Sequence, residues 1–394
     1  MDAAFGRIAI NTLRFGNSWN RSRVHSGYTR HPALLLKGLR RRLSSGQSRS
    51  PLHCCSALGH NNACATLHRD LMANSIGMHR RAAHTSQPQA IEAPLTQSAT
   101  FLILSVAPNL DAVQTVRSTL AGIDGLAKNV SIRDSSSSFT CTVGIGSDIW
   151  DRLTGRSRPA ELHPFPAVEG AVHTAVSTPG DLLFHIRSDR RDICFEFERQ
   201  LMNRLGDAVK VEDVTVGFRY FDVRDLLGFV DGTANPVGPA VPASVLVAEE
   251  DSLSAGGSYV VVQKYLHDLK AWEKLPAETQ EAIVGRTKMD NVELDDATSG
   301  QRSHKTLTTI EDDEGNEHDI LRDNMPFGSP GSAELGTYFI GYSRQLWVIE
   351  RMLQRMFVGD PPGMHDRMLN FSKPLTGVTF FAPSASFLAS LVSD

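Results

Sequence analysis

Ser98-Ala99-Thr100-Phe101-Leu102-Ile103-Leu104-Ser105-Val106 is an apolar run bounded by polar residues. Its length and its lack of helical periodicity predict a buried strand. Working outward, Asp111 to Lys128 places Val113, Val116, Leu120 and Ile123 at helical spacing, which predicts an amphipathic helix. Ser138-Phe139-Thr140-Cys141-Thr142-Val143-Gly144-Ile145-Gly146 predicts a second strand, and Asp181 to Arg187 a third beyond a proline-rich loop. Asp192 to Leu205 is again amphipathic, and Val211 to Phe221 predicts a closing strand. The order β-α-β-β-α-β is that of the split βαβ, or ferredoxin-like, unit, with helices on one face of an antiparallel sheet.

The remainder repeats this pattern in a weaker form. Gly257 to Tyr265 predicts a strand, and His267 to Lys274 and Ala277 to Val284 predict helices. Residues 286–334 are polar and read as one long irregular connection, of the kind that tends to carry function. Thr337 to Tyr342 predicts a strand, Leu346 to Phe357 a strongly apolar helix, and Gly377 to Ala382 a final strand. The expected architecture is α+β: two ferredoxin-like halves, one a copy of the other, over residues 93–226 and 227–390. A ligand cleft is expected where their long insertions meet.

Between the halves stands Leu227-Gly228-Phe229-Val230-Asp231-Gly232-Thr233-Ala234-Asn235-Pro236. Asp-Gly favours a turn with positive φ, and Asn-Pro restrains the residue before proline. Alone, this decapeptide reads as a hairpin turn holding one carboxylate, Asp231, at its tip. Further chemistry-bearing residues lie in polar segments: His304, Arg322 with Asp323 and Asn324, and His365 with Asp366. Their local spacing marks no metal site, so each also reads as an ordinary surface or capping residue. His185 alternates with Phe184 and Ile186 on a strand, which favours a structural histidine over a ligand.

The 394-residue chain is 41% hydrophobic and 21% charged, a globular composition, with a net charge of −4. Its cations crowd the first ninety positions, from Arg7 to Arg81, opposed there only by Asp2 and Asp70. The folded part is therefore acidic, which argues against a nucleic-acid partner. Residues 1–90 are rich in arginine, serine and histidine and lack a continuous apolar core. That composition predicts a mitochondrial transit peptide rather than a secretory signal; the alternative is a basic tail on a cytoplasmic protein. Cys54, Cys55 and Cys64 lie in that extension and Cys141 and Cys194 in apolar sequence, with no zinc or disulfide spacing. No apolar run approaches the roughly eighteen residues that span a bilayer.

Taken together, these blocks resemble the dye-decolorising peroxidases, a haem-binding family whose signature Gly-x-x-Asp-Gly stands here as Gly228-Phe229-Val230-Asp231-Gly232. Val262 to Leu269, Ile283 to Lys288, Ser303-His304, Arg322 to Phe327, Gly336 to Arg344 and Asp366 to Phe371 resemble family blocks in family order, over about residues 93–388. The compact form is similar to the bacterial-type group called type B. The resemblance implies a dimeric α+β barrel-like unit of two ferredoxin-like halves, holding one haem b per chain mainly in the second half.

It further implies that His304 is the axial ligand of the haem iron and that Asp366 hydrogen-bonds the far nitrogen of that histidine. Asp231 and Arg322 match the distal pair, with Asn324 beside them. Phe229, Val230 and Thr233 would line the haem, with Gly228 and Gly232 letting the backbone approach the porphyrin. The implied activity reduces hydrogen peroxide to water through a ferryl intermediate and oxidises dyes, phenols or other one-electron donors; the alternative is a haem-handling, deferrochelatase-like protein. A homo-oligomer is expected. Trp272, Trp347, Tyr338 and Tyr342 are relay candidates for which ordinary core packing is the simpler reading. Glu293 and Glu317 could hold Mn²⁺, against the simpler reading of a solvated loop.

Overall fold

The computed structural model describes residues 86–297 and 300–392, all within one compact unit spanning Met78–Asp394. The extension read over residues 1–90 lies almost wholly outside them. The first half runs β1 (Ser98–Val106), α1 (Leu110–Ala121), α2 (Ile123–Ser131), β2 (Thr140–Ile145), α3 (Ser147–Thr154), β3 (Leu182–Ser188), α4 (Arg191–Leu205) and β4 (Val209–Phe218). The second contains β5 (Ser258–His267), α5 (Ala277–Val284), α6 (His304–Thr308), β6 (Leu321–Arg322), β7 (Met325–Gly328), β8 (Leu335–Ser343), α7 (Leu346–Phe357), β9 (Ser372–Pro374) and β10 (Val378–Ala382).

Strand order in the first half is β4-β1-β3-β2, and in the second β10-β5-β8-β7. These are the same permutation, fourth-first-third-second, of a split βαβ sheet. The two sheets join at β7–β4 and β10–β2, so the strands close into an eight-stranded antiparallel barrel. Each seam is narrow: Phe327 opposite Gly217 in one, Phe381 opposite Ile145 in the other. A Cβ on Gly217 would stand 2.5 Å from the Met325 Cβ, so a glycine is what lets the first seam close.

Alternation along the strands sorts side chains into two cores. Ala99, Phe101, Ile103, Val260, Val262, Tyr338, Ile340 and Tyr342 fill the barrel. Leu102, Leu104, Val143, Phe184, Ile186 and Val261 face outward beneath the helices, and the buried face of α7, with Leu346, Ile349 and Leu353, belongs to the same core. The near-continuous apolar character of Ser98–Val106 follows: both of its faces are covered.

Among the departures from the sequence reading, the helix expected over His267 to Lys274 shrinks to Leu269–Trp272, since His267 ends β5. The helix expected over Asp111 to Lys128 breaks at Gly122, which caps α1. The helix α3 was read as loop. The connection read as irregular over 286–334 contains β6 and β7, the missing second strand of the second half. Its interior Pro326 and terminal Gly328 mask the strand pattern, since proline cannot donate to a ladder.

Candidate active site

A cavity of about 1550 Å³, counting the space at its mouth, separates the outer face of the second-half sheet from α6 and α7. The sheet contributes Gln263 and Tyr265 from β5, Thr337 and Phe339 from β8, and Arg322 and Asn324. The helix layer contributes His304, Ile349, Met352, Leu353 and Met356. Phe229, Val230, Asp231, Gly232 and Thr233 enter from the inter-half loop.

That loop is fastened from three sides. Asp231 donates its N–H to the Val223 carbonyl at 2.9 Å. Trp272 Nε1 donates to the Leu227 carbonyl at 2.9 Å, and Arg224 Nη1 to the carbonyls of Gly228 and Lys288 at 2.9 and 2.6 Å. Gly228 and Gly232 both take positive φ, +92° and +77°, as the turn requires. Gly228, however, does not line the cavity. A Cβ there would lie 2.6 Å from Lys288 Cε, so its bareness admits that lysine chain rather than a ligand.

The Asp231 carboxylate accepts from its neighbour Gly232 N–H at 2.7 Å and from Asn324 Nδ2 at 3.3 Å. Asn235, read only as part of a turn, does more. Its amide donates to the Arg322 carbonyl at 2.7 Å and accepts the Arg322 N–H at 3.0 Å, as a neighbouring strand would. The loop with Asp231 and the strand with Arg322 are therefore locked together. Asn235-Pro236 in an otherwise small-residue loop was the available signal, and it pointed only to a turn. Arg322 lines the cavity, and its Nε is buried without a partner.

His304 opens α6, capped by the Ser303 hydroxyl. Its Nδ1 lies 2.6 Å from Asp366 Oδ2, and Asp366 is fully buried. The other Asp366 oxygen accepts the Met368 N–H at 2.9 Å, which fixes the carboxylate. With Nδ1 occupied, Nε2 is the nitrogen left for a ligand. One imidazole backed by a buried carboxylate, apolar walls and a guanidinium–carboxylate–amide group fit a haem with one axial histidine. Asp225 also lines the cavity; burial, and secondly the charge of Asp231, push its carboxyl up to about 7. Sequence reasoning missed it, because nothing local distinguishes it from any loop acid.

Residues 88–219 match the model described as Dyp-type peroxidase, N-terminal, and residues 222–387 that described as Dyp-type peroxidase, C-terminal. The chain belongs to the Dyp-type peroxidase family. It is 52% identical to the dye-decolorizing peroxidase of Rhodococcus erythropolis over 301 residues, 76% of this chain and 88% of that one. It is 50% identical to that of Mycobacterium tuberculosis, over 76% and 89%. The solved structure of DyPB from Rhodococcus jostii RHA1 superposes with a TM-score of 0.75 at 54% identity, covering 77% of this chain and 97% of that one.

Family membership makes the protein a haem-dependent peroxidase that takes hydrogen peroxide and one-electron donors, with an α+β ferredoxin-like fold. Rhodococcus jostii variants in the family are solved in complex with heme. The deferrochelatase alternative is only distant: the Shigella sonnei deferrochelatase is 25% identical over 53% of this chain.

The mitochondrial reading is overturned. The close relatives belong to Rhodococcus and Mycobacterium, bacteria without mitochondria, and a related peroxidase from Mycobacterium smegmatis is encapsulated. No helix among the described residues is long and apolar enough to cross a membrane.

The relay candidates Trp272, Tyr338 and Tyr342 are core residues, at most 1% exposed. Glu293 is bound to Arg286 at 3.0 Å and Lys305 at 2.9 Å. Among the described residues no group of three acids, histidines or cysteines is placed to hold a metal ion.

Proposed function

We propose that His304 supplies the axial nitrogen to haem and that Asp231, Arg322 and Asn324 handle the peroxide. The observation that carries this reading is the 2.6 Å contact between His304 Nδ1 and the fully buried Asp366. A carboxylate in that position sets the tautomer, orients the ring and makes the free nitrogen a stronger donor. Bound haem supplies the iron at which the O–O bond is broken and the oxidising equivalents are held. Asp231 takes the proton from the incoming hydroperoxide and returns it to the departing oxygen. Arg322 cannot act as a base at neutral pH; its guanidinium stabilises the negative charge that develops on that oxygen. Asn324 donates to Asp231 and sets the carboxylate's orientation.

The same reading divides the chain into an N-terminal extension over 1–90, a first half over 93–226 and a second half over 227–390 that carries the haem machinery. It also includes a homo-oligomer. The exposed Val211, Val214 and Val216 on the outer face of β4 offer an apolar strip for such contacts, which sedimentation would test.

The axial assignment is tested by the absorption spectrum of haem-reconstituted protein. The parent gives a Soret band of protein-bound haem, and His304→Ala shifts or abolishes it. A band that survives the substitution unchanged overturns the assignment.

A further inference from the structure

The strand that brings Arg322 and Asn324 to the cavity has a second face. Leu321 opposite Tyr342, Arg322 opposite Gly341 and Met325 opposite Tyr338 form one register, so β6 and β7 are a single strand in two pieces. Asp323 lies between the two cavity residues and therefore points the other way, into the barrel, where it is only 2% exposed. A carboxylate taken out of water persists only where it is paired. Here the partners come from the other half of the molecule. Arg187 Nη1 lies 3.0 Å from Asp323 Oδ2, with Arg219 Nη2 at 3.6 Å from Oδ1 and His185 Nε2 at 3.7 Å from Oδ2. Arg187, itself 1% exposed, also donates Nη2 to the carbonyl of Ala90.

The backbone alone does not explain this pairing. The strand meets the first half through one ladder pair, Phe327 with Gly217. The Arg322 end lies five residues away from that pair and borders the cavity on its outer face. The ion pair supplies a second link to the first half, directly behind the residues that face the peroxide.

We propose that Arg187 is a positioning residue for the peroxide step: through Asp323 it holds the main chain from which Arg322 and Asn324 reach into the cavity. Arg187 does not itself line that cavity. The inference rests on the reading of Arg322 and Asp231 as the peroxide-handling pair, and it gives the first half a part in the chemistry.

The test uses haem-loaded full-length protein. An apolar pair of similar volume can replace a buried ion pair without loss of stability, so Arg187→Leu/Asp323→Leu separates folding from positioning. Thermal midpoint, resting Soret band and the second-order rate with hydrogen peroxide are measured for it, alongside Arg187→Gln, Arg322→Leu and Arg187→Gln/Arg322→Leu. The double leucine variant should keep the parent's Soret band yet react with peroxide at least tenfold more slowly, with the KM for the electron donor unchanged. Arg187→Gln should lose less, and should add little in the Arg322→Leu background, since residues acting through one another are non-additive.

A double leucine variant that reacts at the parental rate overturns the inference. If that variant does not fold, Arg187→Gln decides: parental rates, or a loss that multiplies fully with Arg322→Leu, overturn it equally. Arg322→Leu reacting at the parental rate would instead remove the part of Arg322 in the peroxide step, on which the inference stands.

Discussion

Asp225 and Asp231 are carboxylates in one loop, with different surroundings. Asp225 Oδ1 accepts the Phe229 N–H at 3.0 Å, and burial raises its carboxyl from the ordinary 3.8 to about 7. A pKa raised by folding means that the native state holds the proton more tightly than the unfolded chain. The stability so contributed is full below the unfolded value and is lost as pH rises through about 7. Asp225→Asn removes the titration. The thermal midpoint of the parent should therefore fall relative to that of the variant between about pH 4 and about pH 8. A difference that stays flat over this range would mean that the carboxyl is ionised throughout. At this scale the sequence was only half legible. Asp231 stood out through its glycines, but His304 and Asp366 are 62 positions apart and no local spacing relates them. Only the resemblance to a family brought them together. The role of Asn235 escaped because it acts on the main chain of Arg322, and that of Asp323 because its partner Arg187 is 136 positions away, neither of which a residue pattern records.

Among the elements, those with strong periodicity were the readable ones. The apolar stripe of α7 defined Leu346–Phe357 in sequence and in structure alike. The strand of β6 and β7 was hidden because its outward residues are Arg322, Asn324 and Pro326, polar or ring-locked where a strand would show β-branched residues. Function and legibility compete here: the positions that would have announced the strand are given over to the site. The seam that this strand makes is testable. Gly217→Ala places a methyl 2.5 Å from the Met325 Cβ. Overpacking of this kind costs about 1–3 kcal/mol, so the thermal midpoint should drop by several degrees. A midpoint equal to the parent's would show that the seam relaxes freely.

At the scale of the whole molecule, two copies of one strand permutation close a barrel, and among the described residues the second copy opens a large cavity on its outer face. The first half covers the equivalent face with α1, α2 and α4 over Leu102, Leu104 and Phe184. That asymmetry was visible in sequence as the long polar insertion of the second half. The barrel-like closure came from the family resemblance alone, because the seams β7–β4 and β10–β2 join strands far apart in the chain. Haem that binds only the folded state should stabilise it by about 2.7 kcal/mol at one hundred times its Kd. The thermal midpoint should therefore rise with added haem, and much less so for His304→Ala; equal rises would place the axial contact elsewhere. The central claim, that Asp231 and Arg322 activate peroxide above the haem, is met most directly by rapid mixing of haem-loaded protein with hydrogen peroxide. Loss of one such electrostatic group costs on the order of a hundredfold or more in rate. Arg322→Leu, Asp231→Ala or both should slow the change in the Soret band by at least that factor, whereas parental rates in both variants would contradict the account.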